Sequence, residues 1–229
     1  SSLPKGGHLM NSTPAPAAKL TVDVWADVLC PWCYVGEQRL VTAIERSPHG
    51  PDVELRLHTF ELDPNAPAAA QSTLGYLSKK YGISEAQARA MEHGLAQKAG
   101  AEGLPYEVDR LAANTFDMLR LIHLGTEYGV GWEYLRAMQV EVFSGHEDAF
   151  EHATLSRLGE DLGIPAEEIR EVLAGDRYAD AVRADHREAL SLGARGVPFT
   201  VVGKRLVIPG AVETSQYGAA IDQAWGARP

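Results

Sequence analysis

"DVLCPWCYVG", residues 27–36, decides the reading of this chain. Cys30 and Cys33 stand there with two residues between them, and they are the only cysteines among 229 residues. The stretch before them, "KLTVDVWADVL" (19–29), is rich in valine and partly alternating, which predicts a strand. In the stretch after them, Cys33, Leu40, Val41 and Ile44 recur at roughly helical spacing, which predicts a helix over 31–46. Pro31 suits the first helical position, where its missing N–H is not needed. Cys30 then falls at the N-cap, facing free backbone N–H groups, those of Trp32 and Cys33 being nearest. A thiolate there is stabilised by these donors and by the positive end of the helix, so Cys30 is the expected nucleophile. Cys33, one turn inside on the apolar face, is expected to be buried as a thiol and to resolve a mixed disulfide on Cys30.

Two other readings of the pair compete with this one. A zinc half-site needs two further ligands, and the chain has no second cysteine pair. His123, His146 and His152 show no tight ligand spacing, so no metal is assigned. Chance proximity is the third reading. C-x-x-C beside a strand–helix–strand pattern favours redox chemistry over both.

The pattern extends outward from the pair. "VELRLHTFELD" (53–63) alternates as a second strand, and strand, helix, strand points to a parallel βαβ unit. "PNAPAAAQST" (64–73) reads as a linker. From about 74 to 193 only helical signals occur, with Ser84, Asn114, Thr154 and Pro165 placed to start helices and Ile164 placed as a hydrophobic staple. After "ARGVP" two short β-rich runs, "FTVVG" and "RLVIPG", are joined by Gly203–Lys204 as a hairpin. A last helix follows, capped by Thr214, with Tyr217, Ile221 and Trp225 on one face. The expected architecture is α/β. Residues 19–65 and 194–227 form one discontinuous sheet domain, and 66–193 form an all-helical insertion.

Hydrophobic residues make up 45% and charged residues 23%, enough to bury a sizeable core. The formal net charge of −10 disfavours nucleic acid and anionic membrane as partners. No segment is apolar enough to span a bilayer. "SSLPKGGHLM" looks like an expression-tag remnant and "NSTPAPAAK" like a flexible lead-in, so residues 1–18 are set outside the fold. With no targeting segment, the expected compartment is the cytoplasm, where a purely structural disulfide is disfavoured.

"CPWC" after a strand, a helical insertion and a later "GVPFTVV" resemble the DsbA-like branch of the thioredoxin superfamily. More closely, "DVLCPWCYVG", "ANTFDMLRLIHLG" and "RGVPFTVVGKRLVIPGA" resemble the FrnE-type proteins, over about residues 20–227. Kappa-class glutathione transferases and 2-hydroxychromene-2-carboxylate isomerases share the architecture. The resemblance implies a thioredoxin fold with a large helical insertion and a thiol–disulfide oxidoreductase or isomerase, with a connection to polyketide biosynthesis. It implies no cofactor, with glutathione a candidate co-substrate. It further implies that Val197–Pro198 is a cis peptide beside the active site, its backbone able to pair with an extended substrate.

Several further residues bear on the site. Trp32 cannot ionise, so it offers the Cys30 thiolate no charged partner, and a less oxidising couple than in relatives with histidine there is expected. Its side chain contacts substrate or packs beneath the helical insertion. Asn114 caps a helix, with Asp117 at N3, or lines the substrate cleft, or does both. Asp27 caps the loop or relays protons to Cys33. FrnE-type sequences carry histidine where this chain has Leu119, and "GAQ" at Gly210, Ala211 and Val212. Both departures bear on inherited substrate contacts and leave the thiol chemistry untouched.

The leading function is therefore dithiol–disulfide exchange with a protein, a peptide or a small thiol, the direction left open. The alternative is a glutathione-dependent transferase or isomerase acting on a small aromatic molecule. Those relatives usually carry serine at the first cysteine position and need no resolving thiol, so Cys33 argues against it. A non-catalytic binding module is the third option, and nothing in the sequence suggests it. Oligomeric state is open, a homodimer being one option by analogy.

Overall fold

The structure, a computed structural model, describes residues 19–229. The tag remnant and lead-in read at 1–18 lie outside the described residues.

Four strands make the main sheet, in the order β2-β1-β5-β6. β1 (Leu20–Ala26) is central, with Leu20, Val22, Val24, Trp25 and Ala26 all buried. Burial on both faces is why its alternation is incomplete in the sequence. It pairs in parallel with β2 (Val53–Thr59), from Leu20 opposite Val53 to Ala26 opposite Thr59. On its other side it runs antiparallel to β5 (Phe199–Val202), which turns back into β6 (Leu206–Pro209). Gly203 and Lys204 both have positive φ, 62° and 60°, the backbone that primed hairpin turns require. Arg205 N–H closes the turn onto the Val202 carbonyl at 3.2 Å. Pro209 lies on the edge strand, where its missing N–H breaks no inner ladder.

Between β1 and β2 runs α1 (Pro31–Arg46). Between β2 and β5 come α2 (Thr73–Tyr81), α3 (Glu85–Ala101), α4 (Phe116–Glu127), α5 (Gly131–Phe143), α6 (His152–Asp161), α7 (Ala166–Ala174) and α8 (Ala179–Ser191). α9 (Thr214–Gly226) ends the chain and packs on α1. Gly36 of α1 lies close against this side of the fold. A Cβ on it would lie 3.0 Å from Ala211 Cβ, 3.2 Å from the Tyr217 hydroxyl and 3.3 Å from Pro198 Cγ. One apolar core joins the sheet residues Val22, Val24 and Val202 to Leu121, Met138 and Val182 of the helical segment. A smaller cluster of Trp25, Phe60, Ala189 and Phe199 lies where α8 covers the other side of the sheet.

Several local expectations are corrected. β2 stops at Thr59 and not at 63. Phe60 still bonds the Ala26 carbonyl, but the Leu62 N–H turns to the Asp27 side chain and leaves the ladder. The segment after 74 is not purely helical. Two-residue strands β3 (Gln71–Ser72) and β4 (Leu111–Ala112) pair antiparallel, too short to show any periodicity. Thr154 starts no helix. It lies buried within α6, whose N-cap is Glu151. Thr214 is the first residue of α9, and the cap is Glu213, whose N–H is accepted by the Gln216 side chain. The expected cap of α4 shifts by one residue, because Thr115 holds the N-cap position and its carbonyl accepts the Leu119 N–H.

Candidate active site

The β1–α1 junction brings the two cysteines to the carboxyl end of the central strand. Cys30 is the N-cap of α1 and extended, at φ −83° and ψ 115°, and Pro31 is the first helical residue. The Cys33 N–H donates to Cys30 Sγ at 3.2 Å. That bond is the helix-end contact that the N-cap position supplies. Both residues are free thiols. Cys30 is 5% exposed and Cys33 fully buried. Burial pushes the Cys33 thiol well above its ordinary range, and the adjoining Cys30 sulfur and the charge of Glu37 push the same way. The pair is thus unequal, with its inner member held protonated.

Val197–Pro198 is cis. The Val197 carbonyl lies 3.5 Å from Cys30 Sγ and accepts from the thiol. The Gly210 N–H donates to the Pro198 carbonyl at 2.9 Å and pins this loop to the end of β6. Two segments 167 residues apart therefore converge on one sulfur.

Trp32 lies on the rim, 37% exposed, with the Lys98 ammonium of α3 at 5.8 Å from its ring centroid. Both a substrate contact and packing against the helical segment are compatible with that position. Asp27 is buried. Its Oδ1 accepts the Val28 N–H and the Thr115 hydroxyl, each at 2.7 Å, and its Oδ2 accepts the Leu62 N–H at 2.8 Å. These contacts tie the β1–α1 loop to the end of β2 and the start of α4. Burial raises the Asp27 carboxyl above its ordinary value, while those donors pull it down. Of its two expected roles, loop capping is the one these contacts describe. Asn114 accepts the Phe116 N–H at 2.9 Å and donates to the Pro64 carbonyl at 3.2 Å, so it serves the α4 terminus and the 64–73 segment. Leu119 is fully buried, so an apolar side chain is matched to its surroundings.

Sequence reading missed several residues around the dithiol. Glu37 is buried beneath Cys33, with Arg136 Nη1 at 3.3 Å and Gln139 Nε2 at 2.9 Å. Burial outweighs both contacts and pushes its carboxyl up to about 7. Glu37 sits one turn beyond Cys33, a spacing that could have flagged it, but its partners come from α5. Tyr217 of α9 is buried against Gly36, and burial pushes its phenol up to about 12. Thr115 reaches Asp27 across 88 positions, which no local pattern announces.

A parallel βαβ unit continued by an antiparallel hairpin, with a helix-capped dithiol facing a cis-proline loop and a helical segment between the halves, defines an α/β thioredoxin fold with a large helical insertion. The sequence model of the DSBA-like thioredoxin domain matches residues 21–222, and the chain belongs to that family. The crystal structure of a probable DsbA oxidoreductase, SCO1869 from Streptomyces coelicolor, is 42% identical and covers 92% of each chain, with a TM-score of 0.87. An uncharacterized protein, YwbO of Bacillus subtilis, is 27% identical over 87% of this chain and 94% of its own. The cytosolic disulfide reductase DsbM from Pseudomonas aeruginosa, solved with GSH, shares the fold at 20% identity and a TM-score of 0.55, over 90% of this chain and 96% of that one. Among the described residues no helix is long and apolar enough to cross a membrane.

Proposed function

We propose that the protein exchanges disulfides through Cys30 and Cys33, with Cys30 attacking and Cys33 resolving. The carrying observation is the inequality of the two sulfurs. Cys30 Sγ receives a helix-end N–H at 3.2 Å, whereas Cys33 is fully buried and held as a thiol.

In the reductive direction the Cys30 thiolate attacks one sulfur of a substrate disulfide. A bond forms from Cys30 Sγ to that sulfur, and the other substrate sulfur leaves as a thiolate and takes up a proton. Cys33 then loses its proton and attacks Cys30 Sγ, expelling the second substrate thiolate. The dithiol loses two electrons, the substrate disulfide gains them, and the two thiol protons end on the products. Oxidation of a dithiol substrate runs the same steps backwards.

The Val197 carbonyl supports a role for the cis-proline loop in positioning an extended substrate beside Cys30, in the manner of strand addition. Pro31 starts the helix that favours the thiolate, and Trp32 borders the entry. Protein or peptide disulfides and small thiols fit the reading. Glutathione is a candidate co-substrate, as the GSH-bound DsbM structure suggests for a relative of the same fold. A reducing cytoplasm belongs to the same reading. A connection to polyketide biosynthesis stays part of this proposal, with the disulfide partner then belonging to that chemistry.

The test is insulin reduction and scrambled-ribonuclease refolding with wild type, Cys30→Ser and Cys33→Ser. Loss of activity in Cys30→Ser and accumulation of mixed disulfides on Cys33→Ser are expected. If both variants match wild type while glutathione conjugation persists, the transferase reading takes over.

A further inference from the structure

A second cluster of titratable side chains lies away from the dithiol, where α8 crosses the β2 edge of the sheet. Asp23 comes from β1, His58 from β2, and Asp185 and Glu188 from α8. His58 Nε2 is 2.7 Å from Asp23 Oδ1. An ionised carboxylate only accepts, so Nε2 carries a proton committed to Asp23. Asp185 is held through its other oxygen. Oδ2 accepts the Thr59 N–H at 2.8 Å and the Thr59 hydroxyl at 3.2 Å, and His123 Nε2 lies 3.1 Å from it.

These commitments leave His58 Nδ1 and Asp185 Oδ1 as an ion pair at 3.7 Å, longer than a hydrogen bond, from which a metal ion would displace the Nδ1 proton. Glu188, nearly one turn further along α8, brings a carboxylate oxygen to the same point. The three candidate ligand atoms all lie within 4.8 Å of one another. Among the described residues, no lysine or arginine makes a salt bridge to Asp185 or Glu188.

We propose that His58, Asp185 and Glu188 bind one divalent transition-metal ion of the Zn2+ type. One imidazole nitrogen and two carboxylate oxygens suit such an ion better than Mg2+ or Ca2+, which prefer oxygen alone. The Asp23–His58 bond is the outer carboxylate contact that orients a metal-binding imidazole and raises its basicity. Ligands about 2.0–2.2 Å from one tetrahedral ion stand roughly 3.4 Å apart. His58 Nδ1 and Asp185 Oδ1 are already close to that spacing, and the exposed Glu188 side chain swings the rest of the way. His58 and Asp185 also line a cavity of about 650 Å³, whose other walls include His123, Trp132, Glu133 and Arg56. A bound ion would clamp α8 of the helical segment to the β2 edge, close to Trp25, whose Nε1 donates to the Asp185 carbonyl at 3.0 Å. The competing outcome is a metal-free latch made of the same residues.

The test uses the full chain with Cys30 and Cys33 oxidised to a disulfide, so that the thiols cannot take the ion. Zn2+ is titrated calorimetrically, and melting is followed with and without Zn2+. One saturable equivalent per chain is expected, with a rise in melting temperature. Glu188→Gln is the decisive variant, because that side chain is exposed, and melting without Zn2+ checks that the fold is kept. It should bind at least about tenfold more weakly and lose the Zn2+-dependent rise. Absence of a saturable equivalent, or equal affinity in Glu188→Gln, overturns the site and leaves the latch.

Discussion

Trp32, Cys33 and Glu37 set the chemistry residue by residue. A reduced form stabilised as thiolate makes a couple more oxidising. Trp32 provides no charge-assisted donor to Cys30, and the nearby Lys98 ammonium sits over its ring, 5.8 Å from the centroid. Trp32→His should therefore raise the reduction potential, by on the order of tens of millivolts, in a titration against glutathione. An unchanged potential would remove Trp32 as a determinant. Glu37 carries a pH signature. Its carboxyl is pushed from 4.5 up to about 7 by burial. A group raised in the folded state contributes stability that is complete below its unfolded value and lost as pH rises through the folded one. Wild type should thus lose stability relative to Glu37→Gln between about pH 4.5 and 7, by on the order of 2–3 kcal/mol. Urea unfolding of both proteins across that range checks it, and parallel curves would contradict it. The same substitution removes a charge that raises Cys33, so the Cys33 thiol should titrate lower.

Between elements, the decisive contacts are made by side chains that bond backbone from another segment. Asp27 joins the β1–α1 loop, the end of β2 and the α4 terminus. Thr115→Val keeps the shape and deletes one donor to a buried carboxylate, which should cost about 1.5–3 kcal/mol of stability. It should also raise the Asp27 carboxyl further, since that hydroxyl now holds it down. Denaturant midpoints test the first effect, and carboxyl titration by NMR tests the second. Arg120 of α4 acts similarly on α7, donating to the carbonyls of Val172, Gly175 and Arg177 at and beyond its C-terminus. Arg120→Met would remove the guanidinium donors from those carbonyls, leaving Val172 only the weaker Gly175 N–H at 3.4 Å, at a cost of about 2–4 kcal/mol in the same measurement.

Across the whole molecule, one apolar core runs from the sheet into the helical segment. Sheet and helices should therefore unfold together. Tryptophan fluorescence, which samples β1 through Trp25, α5 through Trp132 and α9 through Trp225, should follow the same urea curve as far-ultraviolet dichroism. Two separated transitions would give the helical segment a stability of its own.

The sequence by itself determined the order of the major elements, the helix-capped position of Cys30 and the burial of Cys33, while the partner loop at Val197–Pro198 was expected from the family resemblance. Strand alternation, helical spacing, proline placement and motif order are local signals, and each survives in a linear reading. Tertiary structure alone decided what surrounds those sulfurs. Glu37 owes its raised carboxyl to enclosure by α5 and Asp27 finds Thr115 88 positions away, while at the β2 edge, away from the sulfurs, Asp185 meets Thr59 across 126 positions. The two-residue strands β3 and β4 exist only because they pair with each other. Distance in sequence hides such contacts because burial and hydrogen bonding depend on which segments the core brings together, and no single segment carries that information.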